Sequence, residues 1–443
     1  MNYNISKYIV TQSLNQDEIL LYSTLSTSLL LLDNTEYQEI FKKHNYHLYP
    51  KECMELCEMG FLYTGESDKQ FLELEGIRRS ISLEDHGITA ITIAPTMDCN
   101  ARCYYCFEKG ASQGMMTEGV ADKVSEFLIN NCKEKKLYIA WFGGEPLMAE
   151  PIISRITKQL CDNDIEIEST ITTNGILIDE RMITRFQLWN VTRVQITIDG
   201  IGEDYNRVKR YKIDNPNPFE TIMCNIELLI KSDITVHLRV NYYSTNYNIV
   251  KQTMDYLHDR FGDYEKLYLY GVPLDLPSRK GYSEFDEEEG SIFLNVLDNS
   301  LKRGYENDEL NFSALRVSNE YNKALGELML APFPASCFMV NKDRYVIDDK
   351  GYLYKCQKHL GRKEMNCGDV YSGVRINDIY NYYVTDRLHG DKCRDCNILP
   401  ICQGGCKANR LLYGDKYACP PSKTIIDKLV LKYYEYIIND NTY

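Results

Sequence analysis

The sequence predicts an α/β fold whose central feature is a mainly parallel sheet, either doubly wound or closed as a partial barrel. From Ile88 onward, short apolar segments alternate with longer helical segments through six βα units, the pattern of parallel strands joined by crossover helices. The first 85 residues lack this alternation, and eight of the 16 cysteines fall between Cys337 and Cys419. We therefore expect a small N-terminal unit before the sheet and a cysteine-rich region after it.

The composition argues against several classes of protein. The chain has 443 residues, room for roughly three domains of about 150 residues each. Its formal net charge of −14 disfavours binding to nucleic acids and anionic membranes. No apolar run reaches the length of a membrane span, and the first residues lack the pattern of a secretion signal. We expect a cytoplasmic protein, with no nucleic-acid and no membrane partner, whose clustered cysteines bind metal or do chemistry.

Residues 1–85 predict a small module of strands and helices. SKYIVTQ and EILLYSTLSTSLLLL have strand character and are separated by a turn at LNQDE. Asn34 or Thr35 can cap a helix over TEYQEIFKK. Pro50 can begin a second helix that Gly60 ends, and GFLY then predicts a strand. This order is typical of a winged-helix-like unit, and a purely structural cap is the alternative.

Residues 88–275 carry the alternation that predicts the sheet. Apolar segments with strand character cover 88–95, 136–144, 165–175, 191–200, 235–244 and 266–273. Helical segments cover 117–133, 151–162, 179–189, 217–232 and 249–262. In parallel sheets of this kind, ligands collect at the carboxyl ends of the strands, so functional residues should follow strands directly.

The remaining sequence divides into three parts. Residues 276–335 are acidic and predict a helical bridge, and residues 336–425 form the cysteine-rich region. Residues 426–443 predict a packed terminal helix because their apolar residues recur at helical spacing. The residues on this apolar face are Ile426, Leu429, Tyr433, Tyr436 and Ile437.

Three cysteines lie within eight residues directly after the first predicted strand of the sheet. Cys99, Cys103 and Cys106 have the spacing C-x3-C-x2-C in CNARCYYC. Three thiolates in a tight loop can hold three irons of a [4Fe–4S] cluster and leave the fourth iron open to a small molecule. Zinc is the competing interpretation, although no histidine lies nearby to complete a tetrahedral site.

CNARCYYC after a strand resembles the signature of the radical S-adenosylmethionine (radical SAM) enzymes, in which an aromatic residue, here Tyr105, precedes the last cysteine. The resemblance implies that Cys99, Cys103 and Cys106 bind the catalytic cluster. It also implies that the open iron binds the amino and carboxylate groups of SAM. One-electron cleavage of SAM would then give a 5′-deoxyadenosyl radical that abstracts hydrogen from a C–H bond.

Two further segments are similar to SAM-binding motifs of that family. WFGGEP follows the second strand, and its Gly143 and Gly144 permit close backbone approach. It resembles the GGEP motif, which implies that the segment from Gly143 through Glu145 and Pro146 holds the methionine amino group. TTNG follows the third strand and is similar to a polar turn the family uses near SAM; its candidate residues are Thr173 and Asn174.

Polar residues also lie at, or shortly after, the ends of the fourth and fifth predicted strands. Either of two arginines after the fourth strand could pair with the SAM carboxylate. Ordinary strand-end polar residues are the structural alternative. The candidates are Thr197, Asp199, Arg207, Arg210, Arg239 and Asn241.

A second group of cysteines lies near the C-terminus. Cys393, Cys396, Cys402 and Cys406 read C-x2-C-x5-C-x3-C, and Cys419 follows after twelve residues. Upstream lie Cys337 and the motif GYLYKC, which ends at Cys356. The residues alone leave open a zinc ribbon or two four-ligand iron–sulfur clusters.

The arrangement resembles the SPASM extension of radical SAM enzymes, which holds two auxiliary [4Fe–4S] clusters. By that resemblance an outer set binds one cluster: Cys393, Cys396, Cys402 and Cys419. An inner set binds the other: Cys337, Cys356 and Cys406. Either Cys367 closes the inner cluster, or an iron stays open to a substrate thiolate. The resemblance therefore implies three [4Fe–4S] clusters and SAM as cofactors, with a flavodoxin- or ferredoxin-type electron donor.

SPASM enzymes mostly modify peptides and proteins. Sulfatase-maturing members carry Asp after the GX4C cysteine and an extra cysteine soon after the first SPASM cysteine. This chain has Gln357 and no cysteine between Cys337 and Cys356, which disfavours that activity. Maturases of ribosomally made peptides often carry an N-terminal winged-helix-like element that adds the precursor's leader as an extra strand. Residues 1–85 fit that plan.

We therefore expect a peptide maturase of the thioether-forming (sactipeptide or ranthipeptide) type, joining a cysteine thiol to a carbon of its precursor peptide. Carbon–carbon cross-linking and epimerisation are open alternatives. Sulfatase maturation and a non-catalytic iron–sulfur electron-transfer protein are further ones. Clusters of this kind decay in oxygen, so an anaerobic or microaerobic cytoplasm is expected.

Overall fold

A computed structural model describes most of the chain. The described residues are 2–65, 87–106, 108, 114–242, 246–274, 287–301, 337, 339, 341–384, 393–402, 404–414 and 418–440. The predicted helical bridge, 276–335, lies mostly outside them, and the described part of it forms the helix Glu287–Leu301. No described helix has the length and apolar character needed to cross a bilayer.

Six parallel strands form the centre of the fold, each at a predicted position. They are β6 (Ala90–Ile93), β7 (Lys136–Trp141), β8 (Glu166–Thr173), β9 (Val191–Thr197), β10 (Thr235–Tyr242) and β11 (Leu267–Pro273). They lie side by side in chain order, every neighbouring pair parallel. A doubly wound sheet would reverse its strand order, so this sheet has the winding of a partial barrel.

Helices follow the strands, and several are capped by the residues that precede them. They span Glu118–Asn131, Glu150–Cys161, Glu180–Leu188, Glu203–Lys209, Pro218–Lys231 and Tyr247–Phe261. The side chains of Thr117, Asp179 and Asn217 accept backbone N–H bonds at three helix starts. The helix Glu203–Lys209 is an addition to the sequence expectation. Apolar side chains of strands and helices form one large core cluster between these layers.

Four C-terminal strands extend this sheet beyond β6. They are β12 (Tyr345–Ile347), β13 (Tyr352–Tyr354), β14 (Asn366–Asp369) and β15 (Gly373–Val374). β12 pairs in parallel with β6, and β13, β14 and β15 continue as antiparallel neighbours. The cysteine-rich region and the barrel-like sheet therefore share one ten-stranded sheet.

The N-terminal unit contains β1 (Asn4–Ile5), β2 (Ile9–Ser13), β3 (Glu18–Ser23), β4 (Leu29–Asp33) and β5 (Leu62–Tyr63). β2, β3 and β4 form an antiparallel sheet, and β1 pairs with β5. The long apolar run was expected to be one strand-like segment, but it folds into β3 and β4. Thr27 adopts a positive φ of 61°, and the Ser23 amide bonds to Ser28, which closes a turn between them.

The helices of this unit begin where polar residues and proline allow. The first spans Asn34–Tyr37 and continues as a π-helical turn over Gln38–Lys42, and the second spans Pro50–Glu58. The cap of the first helix is Asp33, whose carboxylate accepts the Thr35 amide, rather than the expected Asn34 or Thr35. Asp33 is extended, as a capping residue must be, and it ends β4.

Both faces of β3 are buried. Ile19 and Leu21 face the helices of the N-terminal unit, whereas Leu20 and Tyr22 face the C-terminal region. Successive strand residues point to opposite faces, so a strand covered on both sides is apolar at nearly every position. This explains the uninterrupted run EILLYS.

Asp348 supports the turn between β12 and β13, and its loss should destabilise the extended sheet. Its buried carboxylate accepts the amides of Lys350 (3.0 Å) and Tyr352 (2.9 Å) and the hydroxyl of Tyr354 (2.9 Å). We expect Asp348→Ala to lower the free energy of unfolding by about 3 kcal/mol, because three donors lose their acceptor in a buried site. Urea denaturation of the full-length protein measures this.

The matched control is Asp369→Ala, in the more exposed turn between β14 and β15. The Asp369 carboxylate accepts only the amides of Tyr371 and Ser372, which can bond to water instead. We expect a loss of about 1 kcal/mol there. Equal losses for the two variants would contradict the role given to Asp348.

Candidate functional site

The first three cysteines lie in the loop that follows β6, at the carboxyl end of the parallel sheet. The Cys106 amide bonds to the Cys103 carbonyl (3.3 Å), and the Cys99 thiol accepts the Ala101 amide (3.4 Å). Burial raises the pKa of Cys99 to about 12, and the negative charges of Glu145, Cys103 and Cys106 add to the rise. The three thiols are thus electrostatic neighbours, as a shared cofactor requires.

The two glycines of WFGGEP hold the start of this loop. The Gly144 amide bonds to the Thr96 carbonyl (3.0 Å), and the Glu145 amide to the Asp98 carbonyl (2.8 Å). A Cβ on Gly144 would lie 2.1 Å from the Asp98 oxygen, and one on Gly143 would lie 2.4 Å from the Thr96 oxygen. Only glycine permits this approach, which brings the second strand's turn against the cysteine loop.

Glu145 joins this turn to the end of β8. Its fully buried carboxylate accepts the Thr173 hydroxyl (2.7 Å), the Asn174 amide (2.8 Å) and the Leu147 amide (3.1 Å). Burial raises its pKa to about 7, against the effect of these hydrogen bonds. Pro146 is buried and begins the short 3-10 helix after the turn.

Asn174 completes the first group of predicted residues. Its side-chain amide donates to the Asn100 side chain (2.7 Å) and lies 3.9 Å from the Cys99 sulfur. The structure therefore brings together the cysteine loop, the glycine turn and the TTNG turn, as the sequence analysis expects of a common site.

A second group of predicted residues surrounds Asp199. Tyr105, from the cysteine loop, donates its hydroxyl to the Asp199 carboxylate. The Asn241 amide also donates to Asp199 (3.3 Å), and Arg239 donates to the Asn241 side chain (2.9 Å). Thr197 lies opposite Arg239 in the register of β9 and β10. Asp199 is thereby satisfied within the protein, with few acceptor positions left for a ligand.

Lys209 is a buried member of this group that the sequence analysis missed. Its ammonium lies 2.8 Å from Asp199 and 3.0 Å from the Tyr105 hydroxyl. Burial lowers its pKa, but the charges of Asp199 and Cys103 outweigh that effect and keep the pKa above the ordinary lysine value. A signal existed: Lys209 follows the buried Tyr205 by four residues, which places both on one helix face.

A cleft of about 250 Å³ opens beside this group. Arg207 and Arg210 line it, and Arg210 adopts a positive φ of 51° at the end of its helix. The other lining residues are Tyr104, Tyr105, Asp199, Asp204, Val208, Asn241, Asn246, Ile249 and Leu274. Two guanidinium groups at a cleft next to the cysteine loop can hold a carboxylate.

Two groups of electrostatic neighbours occur among the C-terminal cysteines. Burial raises the pKa of Cys402 to about 12, and Cys419, Cys396 and Cys393 add to the rise. Burial also raises the pKa of Cys356 to about 12, and the negative charges of Cys406 and Cys337 add to that rise. Ionised thiolates within one set would repel one another, because they carry like charges. A bound cation would stabilise them.

A close backbone contact connects these two sets. The Cys406 amide bonds to the Ala418 carbonyl (2.8 Å), and a Cβ on Gly405 would lie 1.9 Å from the same oxygen. Gly405, with a φ of 76°, therefore brings Cys406 of the inner set next to Cys419 of the outer set.

Cys367 lies in the main apolar core. Its thiol is fully buried and donates to the Leu353 carbonyl (3.4 Å). Burial raises its pKa to about 11, and the neighbouring cation of Lys355 opposes the rise. Its inclusion among the cluster ligands stays a prediction, and its surroundings are those of a packed core residue.

The donor chemistry fits iron–sulfur clusters better than a single ion. None of the 16 cysteines forms a disulfide bond, so the thiols of all three sets are available as sulfur ligands. Among the described residues, no three histidine, cysteine or carboxylate side chains form a site for one metal ion. Cluster ligands bind at separate irons, so such thiols stand farther apart than the ligands of one zinc.

The chain is similar over almost its whole length to a radical SAM cyclopropyl synthase, TigE of Paramaledivibacter caminithermalis. The two are 24% identical over 96% of this chain and 95% of the relative. A cysteine-type anaerobic sulfatase-maturating enzyme of Clostridium novyi is 25% identical over 71% of this chain and 86% of its own.

Solved structures share the fold. The sulfatase-maturating enzyme anSMEcpe with bound AdoMet superimposes with a TM-score of 0.59 at 18% identity, over 80% of this chain and 100% of that one. Streptococcus suis SuiB superimposes with a TM-score of 0.52 at 16% identity, over 95% of this chain and 99% of that one. The likeness to SuiB therefore extends over almost the whole of both chains.

The ion pair of Lys209 and Asp199 yields a stability prediction. Lys209→Met should lower the free energy of unfolding by about 3–5 kcal/mol, because the Asp199 carboxylate stays buried without its cation. Adding Asp199→Asn to that variant should recover much of the loss. Urea denaturation of anaerobically purified protein measures both. The exposed Arg207→Met is the control, with a change within about 0.5 kcal/mol, and an equal loss there would contradict the assignment.

Residues 93–257 match the Radical SAM superfamily. This range includes Cys99, Cys103 and Cys106, the glycine turn and the Asp199 group, which the structure gathers at the carboxyl end of one parallel sheet. The fold, the spacing of the first three cysteines and this match agree, and the chain therefore contains a radical SAM domain.

Proposed function

We propose that this protein is a radical SAM peptide maturase that makes an oxidative cross-link within a ribosomally made precursor peptide. The observation that carries the proposal is the presence of three separate thiol sets, one at the strand ends of the barrel-like sheet and two in the C-terminal region. One set suffices to start radical chemistry, whereas two more supply places for the electron that an oxidation releases.

In this proposal Cys99, Cys103 and Cys106 hold a [4Fe–4S] cluster whose open iron takes SAM. The bound cofactors supply one-electron cleavage of SAM to a carbon radical that abstracts hydrogen from the peptide. The glycine turn at Gly143 and Gly144 offers backbone groups to the amino group of SAM. A small flavodoxin- or ferredoxin-type protein is the expected electron donor.

The cleft beside Asp199 is the proposed place for the carboxylate end of SAM. Arg207 and Arg210 carry the positive charge there, and both belong to its lining. Asp199 and Lys209 act differently: their buried pair fixes Tyr105 and thereby the cysteine loop. This separates the predicted residues into ligand-binding and supporting ones.

The C-terminal thiols would hold two further [4Fe–4S] clusters. Cys393, Cys396, Cys402 and Cys419 would give the outer one four protein ligands. The inner set, Cys337, Cys356 and Cys406, would give three, and the core position of Cys367 supports leaving one iron open. An open iron at that place can take a thiolate of the substrate.

A peptide substrate is supported by the N-terminal unit and by a structural neighbour. anSMEcpe is solved with bound AdoMet and the Cp18Cys peptide, at a TM-score of 0.57 and 21% identity. In this chain β4 pairs with β3 on one side, and the described residues place no strand on its other side. A leader peptide can add there as a further strand.

Two kinds of bond satisfy this chemistry. A thioether from a peptide cysteine to carbon is favoured by the inner set, whose proposed open iron suits a thiolate. A carbon–carbon bond is favoured by the similarity to a cyclopropyl synthase, which extends over almost the whole chain. Both remove two hydrogen atoms from the peptide, and only the thioether consumes a thiol.

Iron content tests the cofactor assignment. The anaerobically reconstituted protein should hold about 12 iron atoms per chain, three clusters of four. Cys103→Ala and Cys402→Ala should each lose about 4 of them, since each removes a ligand of one cluster only. Cys161→Ala, at an exposed scattered cysteine, is the control and should keep them all. About 4 iron atoms in the unaltered protein would contradict the two C-terminal clusters.

Peptide mass tests the reaction. The protein is co-expressed anaerobically with a cysteine-containing precursor peptide encoded beside it, and the peptide is weighed before and after alkylation of free thiols. A loss of two hydrogens together with a thiol that no longer reacts with the alkylating agent would establish a thioether. The same loss with all thiols still reactive would establish a carbon–carbon bond. Cys103→Ala should leave the peptide unchanged. A peptide whose mass is unchanged in ordinary water, but which gains deuterium in heavy water, would indicate epimerisation and overturn cross-linking.

A further inference from the structure

The N-terminal unit is docked on the segment that carries three ligands of the outer cysteine set. Val10, Leu20 and Tyr22, from β2 and β3, share a buried apolar cluster with Ile398 and Ile401. The half-buried Cys396 and Cys402 border this cluster. Residues of the two units thus form one core at the place where the outer thiols lie.

Two hydrogen bonds fix the register of this contact. The Thr24 hydroxyl donates to the Asn397 carbonyl at 2.5 Å, and the Asn397 side chain donates to the Ile9 carbonyl at 3.3 Å. Thr24 is almost fully buried, so water cannot easily replace its bond. Asn397 follows Cys396 directly in the chain, which places both bonds beside an outer ligand.

Aromatic packing reinforces the contact on the other side of the same segment. Tyr8 is fully buried against Leu399, and the thiols of Cys393 and Cys396 pack against this pair. Cys393, Cys396, Ile398, Leu399, Ile401 and Cys402 thus all share apolar clusters with residues of the N-terminal unit or of the C-terminal helix Ile426–Asp440.

The segment itself is built from short turns and short helical pieces. In the described stretch 393–402, helical backbone covers 393–394 and Leu399–Cys402. The amides of Cys396, Leu399 and Cys402 bond to the carbonyls of Cys393, Cys396 and Ile398. A metal-binding segment made of such short pieces depends on its neighbours to hold its ligands in place. Here those neighbours come from the N-terminal unit and from the C-terminal helix Ile426–Asp440.

We propose that Thr24 and Asn397 are positioning residues of the outer cysteine set, so that the N-terminal unit and the cluster bound there stabilise each other. This rests on the proposed function in one respect, the presence of a cluster in the outer set. The coupling is reciprocal by linkage: whatever loosens the docking loosens the cluster, and loss of the cluster loosens the docking.

The forward test measures iron release from full-length, anaerobically reconstituted protein after addition of a chelator. Thr24→Val keeps the shape and removes the hydroxyl, and should speed release of the outer iron about fivefold, the factor expected for one lost buried hydrogen bond. Asn397→Ala removes the second bond independently and should act in the same direction. Electron paramagnetic resonance of the remaining clusters identifies which set has lost its iron.

The control is Thr184→Val, at an exposed threonine in the helix Glu180–Leu188 whose hydroxyl bonds only within that helix. It should release iron at the rate of the unaltered protein. Release from Thr24→Val at that same rate, with all three clusters loaded, would overturn the inference and leave the proposed function intact.

The reverse test uses hydrogen–deuterium exchange. Cys402→Ala, which removes an outer ligand, should raise amide exchange in β2 and β3 severalfold, whereas Cys103→Ala should not. Equal exchange in the two variants would overturn the inference. An effect in both tests with an unmodified peptide would uphold the coupling and reject the maturase activity, so the two hypotheses fail separately.

Discussion

The arrangement of the site depends on one backbone contact, the approach of Gly143 and Gly144 to the chain just before Cys99. The cysteine loop has no regular structure, so its shape must come from its neighbours. On one side the glycine turn accepts no side chain without a clash and bonds to Thr96 and Asp98. On the other, the carbonyl of Lys209 accepts the Arg102 amide at 2.8 Å. A loop held by main-chain bonds from the turn after β7 and from the end of the helix Glu203–Lys209 keeps its thiols fixed.

Packed side chains and a close main-chain contact also connect the three thiol sets to each other. Ala94 and Met97, which lead into the first cysteine loop, share an apolar cluster with Met339, Tyr354 and Leu360, which flank Cys337 and Cys356. The contact of Gly405 with Ala418 then connects the inner set to the outer one. The sets are thus joined through packed side chains and close main-chain contacts, which is the rigid, water-excluding environment that one-electron chemistry needs.

Much of this organisation could be predicted from the sequence, because it depends on local patterns. Strands β6 to β11 follow from the apolar segments. The grouping of the C-terminal cysteines into an inner and an outer set is implied by the resemblance to the SPASM extension and stays a prediction. The pairing of β12 with β6 could not be predicted, since it joins residues about 250 positions apart and no local pattern encodes such a partner. Lys209 was missed for a related reason: its partners Asp199 and Tyr105 come from two other loops.

The position of the N-terminal unit also limits how a peptide can reach it. β2 lies at one edge of its sheet and contacts the C-terminal helix Ile426–Asp440, and both faces of β3 are covered. β4 is the opposite edge, so strand addition and docking use different parts of one small sheet. A peptide added at β4 would then join the hydrogen-bonded sheet that contains β3, with β4 and β3 between it and β2. Thr24 directly follows β3, so peptide binding would be coupled to the outer thiols through that sheet without any contact between peptide and cysteine.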